Sequence, residues 1–172
     1  MRARLGDSAG MTGPELAHAH FTHRLSVETD ADDVGSALLD GSADFVLLDA
    51  RSPAAHAAAH LPGAISLPHR TITRETLAAL PAGPIVVYCW GPGCNAATKA
   101  GARISALGRE VKEMIGGFEY YSREGFPVEG EQAERHGKEQ RGLVVVADAT
   151  MPGCSLPNAR SGSSATPTAV AS

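Results

Sequence analysis

The chain has 172 residues, 43% of them apolar and 20% charged, which suits one domain with a true core and some length over for a tail. A net charge of −4 gives no support to nucleic-acid binding, and no apolar run is long enough to span a bilayer. Three cysteines (Cys89, Cys94, Cys154) form no disulfide framework, and MRARLGDSAG at the start lacks the apolar segment of a secretory leader. The expected location is therefore the reducing cytoplasm. Met11 is a second candidate start.

In chain order, residues 14–24 (PELAHAHFTHR) read as a short helix opened by Pro14, within an N-terminal extension over 1–24. A domain over 25–130 follows. It begins with a weak strand at 25–28 (LSVE) and a helix over 31–39, capped by Asp30 and stopped by Gly41, with Val34, Leu38 and Leu39 at helical spacing. FVLLD at 45–49 is a short continuous apolar run, the mark of a strand buried on both faces. An alanine-rich helix over 53–60 leads to Pro62-Gly63, a brief strand at 64–67 and a helix over 71–80 that places Leu77 and Leu80. IVVYC at 85–89 is the strongest strand pattern, being β-branched and aromatic. A small-residue helix over 96–107, a strand at 110–114 and a helix over 117–124 complete the alternation. Strands alternating with helices imply a parallel sheet covered by helices on both faces, with chemistry at the carboxyl ends of the strands. The remainder, 131–172, reads as a tail: a charged stretch with helical tendency, the apolar LVVVA at 143–147, and disorder from about 148, where Ser, Ala, Pro, Gly and Thr dominate.

The residues that carry chemistry are Cys89-Trp90-Gly91-Pro92-Gly93-Cys94-Asn95-Ala96. A cysteine ends a buried strand, a glycine-rich loop follows and a helix begins. That arrangement aims backbone N–H groups and a helix N-terminus at the sulfur, which predicts a lowered thiol pKa for Cys89 and a cradle for an anion. Gly91 and Gly93 are expected to allow positive φ or close approach of the backbone. Against this stands the common role of free cysteine as a small buried hydrophobe. His18, His20 and His23 invite a metal reading, but they lack cysteine or carboxylate partners and do not share one helix face. A solvated helix surface accounts for them, and no metal or other cofactor is expected.

Four segments occur in the order and spacing of one family. Leu47-Leu48-Asp49-Ala50-Arg51 with His60-Leu61-Pro62-Gly63-Ala64-Ile65 is similar to the first signature of rhodanese-like domains; Val87-Tyr88-Cys89 resembles their catalytic strand end; Ile115-Gly116-Gly117-Phe118 and Gly125-Phe126-Pro127-Val128 resemble their closing segment. The loop together with KEMIGGFEYYSREGFPV resembles a bacterial single-domain subgroup. The resemblance covers about residues 43–129. It implies the rhodanese-like three-layer α/β sandwich, a five-stranded parallel sheet flanked by helices on both faces, and sulfur transfer through a persulfide on Cys89. It makes Asp49, Arg51 and His60 structural signature residues near the site. Asp49 is expected to close a turn, and Arg51 to pair with a carboxylate.

This loop departs from the family pattern. Trp90 stands where a basic residue usually follows the cysteine, which weakens the case for thiosulfate, and the nearest cations are Lys99 and Arg103. The loop region is also about two residues longer. Asn95 occupies the position at which the related phosphatases close a Cys-x5-Arg loop, and an amide cannot fork to phosphate as arginine does. Trp90 is expected to be an apolar pocket wall, and Cys94 a possible resolving thiol. The leading reading is a sulfurtransferase with a small-molecule sulfur donor and a thiol or cyanide acceptor, without nucleic-acid or membrane partners. The alternatives are a thiol redox or arsenate-reductase-like enzyme using Cys89 with Cys94, and a non-catalytic binding or sulfur-carrier module. Oligomeric state is not legible.

Overall fold

The computed structural model describes residues 12–134. LVVVA at 143–147 and the segment expected to be disordered from about 148 lie outside the described residues. The elements run α1 (Gly13–Val27), β1 (Glu28–Thr29), α2 (Ala31–Asp40), β2 (Val46–Asp49), α3 (Pro53–Ala58), β3 (Ile65–Ser66), α4 (Arg74–Ala78), β4 (Ile85–Tyr88), α5 (Ala96–Ala106), β5 (Val111–Met114) and α6 (Gly117–Arg123). All five strands are parallel, in the order β1-β5-β4-β2-β3, so β4 is central.

Local chemistry explains most boundaries. The Asp30 side chain accepts from the Asp33 N–H, and Gly41 ends α2 in the left-handed region at φ 74°. Thr73 and Ser52 cap α4 and α3 in the same manner as Asp30. The weak strand expected at 25–28 is corrected: α1 runs on to Val27, and only Glu28–Thr29 pairs with β5. The expected helix over 71–80 is likewise shorter, because Pro68 opens a 3-10 turn over His69–Thr71 before Thr73 caps α4. Leu39, at helical spacing, is nonetheless exposed, whereas Val34 is buried.

The buried strands β2 and β4 sort their side chains by alternation into two cores. Val46, Leu48, Ile85, Val87 and Cys89 face α4 and α5, meeting Leu77, Ala97, Ala100 and Ile104. Leu47, Val86 and Tyr88 face the other way, with Val34 of α2 and Phe118 and Tyr121 of α6. The sheet thus has helices on both faces. The first residues of the charged stretch after 130 are tied to α3, since Glu131 and Gln132 donate to the carbonyls of Ala57 and Ala58. Among the described residues no helix is long and apolar enough to cross a membrane.

Candidate active site

Cys89 leaves the carboxyl end of the central strand and is buried on the α5 face. Three backbone bonds shape the loop behind it. Cys94 N–H closes a turn onto the Gly91 carbonyl at 2.9 Å, while Phe118 and Glu119 N–H groups, opening α6, hold the carbonyls of Cys89 and Trp90 at 2.9 and 2.8 Å. The contact is so close that Gly117, at φ 61°, leaves no room for a side chain: a Cβ there would lie 2.6 Å from the Cys89 carbonyl oxygen. The Gly116-Gly117 pair therefore presses the start of α6 onto the cysteine loop. A Cβ on Gly91 would meet the Glu119 carboxylate, 2.6 Å away, rather than the sulfur; Gly91 is not at positive φ, and Gly93 shows neither feature.

The thiol chemistry corrects the expectation for Cys89. Burial pushes its pKa up, to about 11, and the neighbouring Cys94 thiol reinforces the shift against the N–H groups of Ala97 and Gly91. The Cys89 thiol donates to the Cys94 carbonyl at 2.9 Å, which also favours the protonated form. Half-buried Cys94 takes the anion-favouring part instead. Burial opposes its ionisation, but the Ala96 N–H, the Cys89 thiol, the Trp90 N–H and the charge of Lys99 together lower its pKa. The helix N-terminus acts as the sequence suggests, through residues 96 and 97 rather than the loop centre alone. Asn95 serves as the residue before α5 and makes no side-chain cap bond.

On the opposite face of the sheet lies a fully buried polar network. Asp49 and Arg51 pair at 2.6 Å with neither side chain exposed, and the Arg51 backbone N–H also donates to Asp49 Oδ1 at 2.9 Å. Asp49 thus closes a turn and is itself the carboxylate that Arg51 takes. Tyr88 Oη donates to Asp49 Oδ2 at 2.8 Å and accepts from Leu61 N–H at 3.2 Å; Arg51 Nη2 donates to the Ala59 carbonyl at 2.5 Å. The Arg51 guanidinium carbon lies 4.2 Å from the Phe118 ring centre and 4.5 Å from that of Trp90. Trp90, about half exposed, therefore lies over the Arg51 guanidinium. The network joins Asp49, through Arg51, to both the residue after Cys89 and the helix that buttresses the loop.

His60 forms an isolated antiparallel bridge with Glu129. Its backbone exchanges two 2.8 Å bonds with Glu129, and its ring stacks 3.8 Å from that of His56. The sequence reading assigned no role to His56 or to the Tyr88 phenol, and met Phe118 only as part of the closing segment. His56 Nδ1 is 3.3 Å from Asp49 Oδ2, and burial holds its pKa down. Beyond the turn expected of Asp49 and the carboxylate partner expected of Arg51, the alternation of β4, which sets Tyr88 opposite in face to Cys89, carried a hint of the network. His18, His20 and His23 sit on exposed α1, and no group of three metal-binding side chains occurs among the described residues.

Fold and site together define an α/β domain that offers a cysteine at the carboxyl end of its central strand, wrapped by a glycine-rich loop. The rhodanese-like domain family matches residues 30–124, and the chain belongs to that family. Among solved structures, the BH2092 protein of Bacillus halodurans is 40% identical, with a TM-score of 0.69, 72% of this chain and 90% of that one being covered. A Lactobacillus plantarum protein is 26% identical (TM-score 0.59; 68% and 98% covered). A rhodanese-like domain from Anabaena sp., at 23% identity and TM-score 0.55, covers 81% of this chain and 95% of its own and shares the fold. No match was found among curated proteins.

Proposed function

We propose that the protein is a cytoplasmic sulfurtransferase that carries sulfane sulfur as a persulfide on Cys89. The observation behind this reading is the placement of Cys89 at the end of β4, where the backbone N–H groups of Gly91 and Ala97 favour its anionic form. In the first half-reaction the Cys89 thiol loses its proton and attacks the outer sulfur of a donor persulfide. The donor's S–S bond breaks, the donor leaves as a thiolate, and Cys89 holds the sulfur. In the second, an acceptor thiolate or cyanide attacks that outer sulfur and Cys89 departs as the leaving group. The N–H groups around the loop stabilise the persulfide anion as they would an oxyanion.

Residues 89–96 contain no lysine or arginine. A singly charged organic persulfide therefore suits the loop better than doubly charged thiosulfate, which elsewhere relies on cationic side chains. Intact mass after incubation with each donor checks the reading. One added sulfur is expected with the organic persulfide, removed by cyanide and absent in Cys89→Ser. Absence of the adduct with every donor, in the wild type and in Cys94→Ser alike, would overturn it in favour of a non-catalytic module.

A further inference from the structure

Among the described residues, Cys94 is the second thiol, adjacent to Cys89, and the sulfur-carrying cycle leaves it unused. Several observations bear on it. The turn closed by Cys94 N–H on the Gly91 carbonyl folds the loop back so that the Cys89 thiol meets the Cys94 carbonyl at 2.9 Å and interacts with the Cys94 thiol. Cys89 is 3% exposed, whereas Cys94 is half-buried and lines a groove of about 460 Å³. That groove is bounded by Arg24, Gly91, Pro92, Ile115 and Tyr120, and Cys89 is not part of its wall. The more accessible thiol is also the one whose ionisation the surroundings favour.

We infer that Cys94 resolves the Cys89 persulfide by attacking its inner sulfur, Cys89 Sγ, expelling hydrosulfide and leaving a Cys89–Cys94 disulfide. The inference rests on the proposed persulfide and adds a second fate for it. The step balances: the bond between Cys89 Sγ and the outer sulfur breaks, the Sγ–Sγ bond forms, and the electron pair departs with hydrosulfide. The outer sulfur is reduced to sulfide while the two cysteines are oxidised by two electrons. Inner-sulfur attack is favoured because Cys94 already borders that atom. A dithiol reductant entering by the groove attacks Cys94, the exposed half of the disulfide, and restores both thiols through a mixed disulfide. This gives the chain a persulfide-reducing activity in which sulfide, not a new persulfide, is the product.

The test uses the full chain, loaded with an organic persulfide and freed of excess reagent without oxygen or reductant. Sulfide release and intact mass are then followed together. The wild type is expected to lose its added sulfur as sulfide and to finish two hydrogens lighter than the reduced protein. Cys94→Ser and Cys94→Ala are expected to hold the added sulfur, with sulfide release abolished. Equal release from wild type and both variants, or a wild type that keeps its persulfide without forming the disulfide, overturns the resolving role and leaves sulfur carriage standing. No added sulfur on either wild type or variants overturns both at once.

Discussion

At the scale of single residues, the two loop cysteines divide properties that a sequence reading assigns to one of them. Cys89 has the position, at the end of the central strand; Cys94 has the exposure and the lowered pKa. The thiolate is the reactive form, so the direction of each shift sets an order of modification. Iodoacetamide at neutral pH is expected to label Cys94 first. Labelling of Cys89, whose pKa is raised to about 11, should climb by about tenfold per pH unit through the mildly alkaline range, well past the point at which Cys94 has levelled off. Peptide mass spectrometry at several pH values checks the order. The same division explains why Trp90, in a place usually held by a cation, does not leave the site without positive charge nearby: Lys99 acts on Cys94 from the first turn of α5.

At the scale of elements, the start of α6 is the buttress of the cysteine loop. Its first N–H groups bind the loop carbonyls, and this needs Gly117 at φ 61° against the Cys89 carbonyl. Replacing Gly117 by alanine adds the cost of a left-handed residue, about 1–2 kcal/mol, and a Cβ 2.6 Å from that carbonyl oxygen. The expected outcome is a displaced loop: persulfide formation by Gly117→Ala should fall by more than tenfold while the far-ultraviolet circular dichroism stays that of the wild type. Mass-resolved loading rates measure it. The second half of the closing segment works at another place, where the Phe126 ring fills the space above Gly35 of α2 and leaves none for a Cβ, 2.5 Å away. The closing segment thus does two jobs, setting the loop and sealing α2.

At the scale of the whole molecule, the Asp49–Arg51 pair ties together parts of the chain far apart in sequence. It receives Tyr88 from β4, His56 from α3, the Ala59 carbonyl, and the rings of Trp90 and Phe118. Both charges are withdrawn from water, so each depends on the other. Removing only the arginine leaves a buried carboxylate without its partner, at a cost of about 3–5 kcal/mol. Arg51→Ala is therefore expected to unfold at much lower urea concentration than the wild type, and to lose the near-ultraviolet signal of Trp90 early in the transition. Because Arg51 lies on the opposite sheet face from Cys89, any loss of sulfur loading in that variant reports the loop's support rather than its chemistry.

Much of this was legible in one dimension. The apolar runs FVLLD and IVVYC, the caps at Asp30 and Gly41, and the helical spacing between them determine a parallel sheet with helices on both faces, because burial and capping depend on neighbours a few residues away. The same alternation places Cys89 at the carboxyl end of a strand. The tertiary structure alone decided that β4 is central, that Tyr88 and Phe118 join Asp49 and Arg51, and that Trp90 covers the arginine. It also decided that Cys94 rather than Cys89 has the lowered pKa. These depend on desolvation and on charges and rings brought close through space, and Phe118 stands far along the chain from Arg51. A pattern of residues records which side chains are available; only the folded distances determine how much water and how many partners each one keeps.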